Sequence, residues 1–213
     1  MTAQMTGGNN VDLKAALATA ERAACEAGAI LRKALHDQDC RRGGHKAAVD
    51  EQVETFLEAC LLWHHPCGWL AEEMGGEAVA SPHCWVVDPH DGTGAFLDGR
   101  RGSSVSIALL RDRVPVLGVV YAYAYPGNEG DLISWAEGCG PVRRNGELMP
   151  ARLDSRDLDR DAIVAFSYVA AQSPAANARA VAPARFLSSI AYRLAKAMNA
   201  RRLVPIHGEA NEA

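Results

Sequence analysis

The residues best suited to chemistry lie in one hexapeptide, Asp88-Pro89-His90-Asp91-Gly92-Thr93. Two carboxylates flank a Pro-His pair, followed by a glycine and a hydroxyl. Proline fixes φ and lacks an N–H, so the segment is expected to be a rigid turn rather than a continuing strand. Asp88 and Asp91 then converge on one point, with the carbonyl of His90 as a third oxygen. Hard oxygen ligands of this kind suit Mg²⁺. Gly92 lets a ligand approach the backbone closely. A helix starting after Thr93 would turn the N–H groups of Gly92, Thr93 and Gly94 outward as a phosphate site. The plain alternative is that Asp-Gly makes an ordinary turn and Asp88 merely ends a strand. Glu72-Glu73 and Asp50, in two other segments, weigh against it. Several carboxylates brought together are either metal-bound or strained by like-charge repulsion.

The elements that position these residues follow from periodicity. Val11 to Leu35 is Ala-rich and Pro-free with apolar residues at helical spacing, and Asn10 or Asp12 can cap its start. A second helix is expected from about Ala47 to Trp63, with Asp50 on it, closed by Pro66 and Gly68. The period then changes. Trp69-Leu70-Ala71 runs into Glu72-Glu73, and Cys84-Trp85-Val86-Val87 runs into Asp88, as buried strands do when they deliver polar groups to a sheet edge. Further strands are expected at Val105–Arg111, Val114–Tyr125 and Asp131–Ala136, with a hairpin at Asp112-Arg113 and a turn at Asn145-Gly146. Beyond Pro150 the pattern predicts a strand at Ala162–Phe166, a short helix at Ala175–Ala182 and a helix at Ile190–Met198 capped by Ser188 or Ser189. Helices, then strands, then mixed elements indicate a layered α+β or α/β architecture. The expected division is a polar N-terminus at 1–10, a site-bearing unit at 11–150 and a smaller α/β unit at 151–213.

Composition narrows the function classes. The chain has 213 residues, a net charge of −4 and 48% hydrophobic residues, the make-up of an ordinary globular protein. With 22 basic against 26 acidic residues it lacks the concentrated basic excess of a nucleic-acid or membrane-surface binder. The basic runs at Arg41-Arg42 with Lys46, Arg100-Arg101 and Arg143-Arg144 read as solvated loop charges. No signal pattern or membrane-length apolar run is present. Six cysteines without C-x-x-C spacing are expected to be reduced thiols in a cytoplasmic protein. His64-His65-Pro66-Cys67 lacks the second half that a zinc site needs.

Trp85-Val86-Val87-Asp88-Pro89-His90-Asp91-Gly92-Thr93 resembles the signature of the inositol monophosphatase superfamily, a hydrophobic strand running into D-P-x-D-G-T. Leu70-Ala71-Glu72-Glu73 resembles its Glu-Glu segment, and Val49-Asp50-Glu51-Gln52-Val53-Glu54 its first aspartate motif. Ser188-Ser189-Ile190-Ala191-Tyr192 resembles its late helix start. The resemblance covers roughly residues 10 to 200 and implies a layered α-β-α-β-α sandwich of the α/β class. It also implies Mg²⁺-dependent hydrolysis of a small phosphorylated metabolite, such as an inositol monophosphate or 3′-phosphoadenosine 5′-phosphate, with a homodimer as the family expectation. By the same resemblance Glu72, Asp88 and the carbonyl of His90 hold one Mg²⁺, and Asp91 joins Asp88 on a second. Gly92 and Thr93 bind the phosphate, and Asp50 pairs with the Thr93 hydroxyl to orient the attacking water, so that Asp50, Thr93 and Glu72 form the catalytic set.

Two departures stand out. His90 occupies a position more usually aliphatic, and its imidazole reads as incidental beside its carbonyl. The family's later Trp-Asp motif, which completes the second metal site, has no counterpart between Ser189 and Ala213. Glu209 or Glu212 would have to stand in for it, without support from spacing. A shortened family member is therefore expected. It is either an active phosphatase or a protein that binds Mg²⁺ and phosphate without turnover; a plain interaction domain is the third option.

Overall fold

Asp12 starts the first helix by accepting hydrogen bonds from the backbone N–H groups of Lys14 and Ala15 at 3.0 and 3.1 Å. The structure is a computed structural model and describes residues 11–37, 45–75, 81–149, 163–166, 184–186, 188–199 and 203–206. Helix α1 (Leu13–His36) buries a face of small side chains, Ala16, Ala20, Ala23, Ala24 and Ala27, with Leu31 behind them. Gly28 continues that face, and a Cβ there would lie 2.5 Å from the Tyr121 ring. The small face is what lets α1 settle closely on the sheet. Helix α2 (His45–His64) packs Val49, Val53, Leu57 and Leu61 into the same core, a stripe at four-residue spacing.

The main sheet has seven strands in sequence order: β1 (Gly68–Ala71), β2 (His83–Asp91), β3 (Ser104–Arg111), β4 (Val114–Ala122), β5 (Asp131–Ala136), β6 (Arg143–Arg144) and β7 (Glu147–Leu148). A short helix, α3 (Thr93–Leu97), follows β2. Only the β1–β2 pair is parallel, and the others along this sheet are antiparallel. Asp112 and Arg113 both take positive φ, 51° and 68°, and so do Asn145 and Gly146, 51° and 84°. Two consecutive left-handed residues match the twist of the flanking strands, which is why both expected turns close hairpins.

Alternation along β4 separates two cores. Leu117, Val119 and Tyr121 face the helices α1 and α2 with Val105, Ile107 and Leu109 of β3. Val120 and Ala122 face the other way, onto Ile133, Val142 and helix α4 (Ile190–Asn199) through Tyr192 and Ala195. Beyond α4 lies a second, parallel sheet in the order β10 (Leu203–Ile206), β8 (Ile163–Phe166), β9 (Ala184–Phe186). Helix, sheet, helix, sheet is the layering of an α/β protein. A final helical layer, the expected helix at Ala175–Ala182 and the acids Glu209 and Glu212 lie outside the described residues.

Two expectations need correction. Pro89 does not end the strand: β2 continues to Asp91, and the ladder slips between Asp88 and Asp91, so the missing proline N–H falls at an irregularity. Arg144 is not a solvated charge. Its guanidinium makes a two-pronged pair with the fully buried Asp131, at 2.6 and 2.7 Å, and Tyr192 of α4 donates its hydroxyl to the same carboxylate. Cys25, Cys60, Cys67, Cys84 and Cys139 are free thiols, and among the described residues no helix is long and apolar enough to cross a membrane.

Candidate metal and phosphate site

The parallel pairing of β1 with β2 builds the acidic cluster. Its last register pair is Ala71 with Val87, so the next residues, Glu72 and Asp88, emerge side by side at the same edge. Protonated Asp88 donates a hydrogen bond to Glu72, and Asp91 lies close enough to act on it electrostatically. Burial, then the neighbouring Asp91 and Glu72 carboxylates, pushes the Asp88 carboxyl up to about 8. Asp88 Oδ1 accepts from the backbone N–H of His90 at 2.9 Å, which tightens the turn. Gly92 has a φ of 94° and starts α3, a conformation that favours glycine. A side chain there would also press on Ser188 and Ser189, with the nearest atoms 3.1 Å from its Cβ.

Among the described residues, no three His, Cys, Asp or Glu side chains are gathered into a ready ligand sphere. The donor chemistry nevertheless fits a divalent cation. Acidic oxygens crowd together at cost to themselves, and the His90 carbonyl stands in the same turn as a further hard oxygen. The zinc reading of His64 to Cys67 gains nothing, since these residues form no such group either.

Asp91 is tied to the second layer. Its Oδ2 accepts from the Ser189 hydroxyl at 2.7 Å and from the backbone N–H of Ala191 at 2.6 Å. Ser189 in turn caps α4, accepting from the N–H of Tyr192 at 2.8 Å, and contacts Ser104 Oγ at 2.8 Å. The start of α4 therefore helps to position a site carboxylate, which sequence spacing across about a hundred residues does not reveal.

Asp50 departs from the expected pairing. It does not bond to Thr93, whose hydroxyl donates instead to the His90 carbonyl at 2.8 Å. Asp50 is 1% exposed, and its Oδ1 lies 2.6 Å from His90 Nδ1. Its Oδ2 has no hydrogen-bond partner among the described residues. The imidazole is itself buried; Nε2 lies 2.9 Å from the Tyr123 hydroxyl, and the ring meets Phe96 edge-on at 4.6 Å. Burial pushes the Tyr123 phenol well above its usual range, so that it stays protonated. The imidazole expected to be incidental is thus buried and hydrogen-bonded at both ring nitrogens.

Glu54 was not among the expected site residues. It lies one turn after Asp50 on the same face of α2 and is 0% exposed. Its two oxygens accept from the backbone N–H groups of Glu73 and Met74 at 2.9 and 3.0 Å, holding the bend that presents Glu72. The D-x-x-x-E spacing was the available signal, since acids at i and i+4 share a helix face. Glu54→Gln leaves one oxygen for two donors. It should destabilise the fold by about 1–3 kcal/mol in urea unfolding and weaken divalent-cation affinity about tenfold or more. A variant with unchanged cation affinity would detach Glu54 from the site.

The sequence model of the inositol monophosphatase family matches residues 12–201, and the chain belongs to that family of phosphatases. Among curated relatives, an inositol monophosphatase of Mesembryanthemum crystallinum is 36% identical over 123 residues, covering 53% of this chain and 45% of that protein. A fructose-1,6-bisphosphatase/inositol-1-monophosphatase of Aquifex aeolicus (strain VF5) is 30% identical over 161 residues, covering 72% of this chain and 58% of that protein. The chain thus spans about half the length of these relatives. Among solved structures, the inositol monophosphatase from Anabaena (Nostoc) sp. PCC 7120 superposes with a TM-score of 0.69 at 26% identity, over 89% of this chain and 73% of that one.

Proposed function

We propose that this chain hydrolyses a small phosphomonoester with Mg²⁺ as cofactor, using the edge formed by Glu72, Asp88, His90, Asp91, Gly92 and Thr93. The observation that carries this reading is the crowding of Glu72 and Asp91 on Asp88 beside the first turn of α3. Glu72, Asp88, Asp91 and the His90 carbonyl would hold the cation. When bound, Mg²⁺ neutralises phosphate charge and lowers the pKa of water, which is otherwise a poor nucleophile at neutral pH. The chain's own groups do the rest. The N–H groups of Gly92 and Thr93 take the phosphate oxygens, and the Thr93 hydroxyl, already fixed on the turn, orients polar groups beside them. No nucleophilic serine or cysteine is needed. An inositol monophosphate or a nucleotide of the 3′-phosphoadenosine 5′-phosphate type is the substrate class we infer, in a cytoplasmic protein that forms homodimers.

A second reading is favoured by the capture of Asp50 by His90 rather than Thr93. In it the chain binds Mg²⁺ and phosphate without turnover. Phosphate release from both substrates, with Mg²⁺ and with chelator, separates the two. Chelator-sensitive release that falls at least a hundredfold in Asp91→Asn is expected for the phosphatase. Asparagine keeps an acceptor for Ser189 and Ala191, so a loss would report on charge rather than on the docking of α4. Folded protein with no release from either substrate would leave the binding reading.

A further inference from the structure

We propose that His90 is a positioning residue of this site, its imidazole holding Asp50 in place of the Thr93 hydroxyl. This rests on the metal and phosphate reading above. The inference follows from burial and connectivity. Asp50 is a carboxylate at 1% exposure in the core beneath the signature turn. A buried charge without a donor is strongly unfavourable, and the one hydrogen bond found for Asp50 among the described residues is shared with His90 Nδ1, at 2.6 Å. We place a proton on Nδ1, facing the buried Asp50 oxygen. In that tautomer Nε2 accepts from the Tyr123 hydroxyl, which lies 2.9 Å away. Tyr123 is anchored in turn, because its carbonyl accepts from Arg32 Nε at 2.8 Å.

The chain of contacts runs from α1 through the end of β4 and the signature turn to α2. It has two consequences. The peptide between Asp88 and Asp91 is held by its side chain from beneath, so the His90 carbonyl is aimed by the ring that an aliphatic residue would lack. Asp50 is held through Oδ1, and its Oδ2 has no hydrogen-bond partner among the described residues. Thr93 is left to bond the His90 carbonyl at 2.8 Å. Outer partners of this kind, which orient a ligating group without touching the ion, are worth tenfold to a hundredfold in affinity or activity.

The test uses the full chain labelled with ¹⁵N-histidine, with His90 assigned by its loss in His90→Asn. The wild-type ring should show a proton on Nδ1, strongly downfield and slow to exchange. Two variants then separate positioning from packing. Asparagine places an N–H near the position of Nδ1, whereas leucine fills the space with no donor. His90→Leu should raise the Mg²⁺ concentration for half-maximal thermal shift at least tenfold, and His90→Asn should restore it to within about threefold of wild type. Where phosphate release is measurable, kcat should follow the same order with KM little changed. A Nδ1 without a proton, or leucine matching or exceeding asparagine, overturns the proposal. Absence of any Mg²⁺ response in wild type overturns the site reading instead, while the ring signal still reports whether His90 holds Asp50.

Discussion

Replacing Asp88 by Asn is expected to stabilise the metal-free protein at neutral and alkaline pH and to erase its response to Mg²⁺. The sign follows from the carboxyl, pushed up to about 8 in the fold by burial and by Asp91 and Glu72. In the unfolded chain it loses its proton near pH 4. Between those values folding takes up a proton, so stability falls as the pH rises, by at most about 1.4 kcal/mol per unit. Solvent reaches the half-buried group, and screening reduces the total. A gain of about 2–3 kcal/mol at pH 8 is the realistic expectation for the variant, or roughly 4–12 °C in Tm for a chain of this size. The gain should shrink towards nothing as the pH drops to about 4, where wild-type Asp88 is protonated in both states. Asparagine Oδ1 can still accept the His90 N–H, now bonded at 2.9 Å, so the turn survives. Wild type should gain about 2.7 kcal/mol from Mg²⁺ at a hundred times its Kd, and the variant none. Calorimetry from pH 4 to 8, with and without Mg²⁺, checks each point. A stability curve that does not fall with pH would mean the three acids do not crowd one another.

Much of the frame was legible because its signals are local. Asp12 and Ser189 announce helix starts, the Asp112-Arg113 and Asn145-Gly146 pairs mark hairpins, and short apolar runs halt at Glu72 and Asp88. Those halts placed two acids at strand ends, and parallel pairing in register did the rest. What escaped depends on partners far away in the chain. Asp50 could have faced Thr93 or His90; only the packing of α2 against β2 decides, and it selects a residue forty positions on. Glu54 looked like one more helix acid until the bend at Glu73 and Met74 came to rest on it. Pro89 argued against a strand because the rule treats the ladder as continuous, whereas here the ladder slips at that point. Arg144 read as a loop charge because nothing adjacent in sequence reveals that Asp131, thirteen residues earlier, is buried beneath it.

That last pair supports the second large expectation: Asp131→Ala should cost about 2–4 kcal/mol, because it removes the fully buried acceptor of the Arg144 and Tyr192 hydrogen bonds, while Arg144, a third exposed, is left only partly solvated. Asp131 is fully buried between β5, β6 and α4. Burial alone would raise its carboxyl, but hydrogen bonds from Arg144 and Tyr192 outweigh this and hold it below the usual carboxylate range. Lys196 Nζ, 3.6 Å away, adds a second cation. A depressed carboxylate contributes stability that is present above its unfolded pKa near 4 and is lost as the pH falls through the lower folded value. Wild type should therefore lose this contribution only in strong acid, while the alanine variant lacks it from the outset. In urea at pH 7 the variant's loss corresponds to a Tm lower by about 10 °C. The effect should reach the site as well. Tyr192 and Lys196 belong to the helix whose first turn supplies Ser189 and the Ala191 N–H to Asp91. Loosening that helix frees a site carboxylate, so cation affinity should fall together with stability. Adding Arg144→Ala to the variant should recover part of the loss, because the stranded guanidinium is then gone. Single and double variants that lose stability additively would instead assign Asp131 a packing role, with Tyr192 as its main partner.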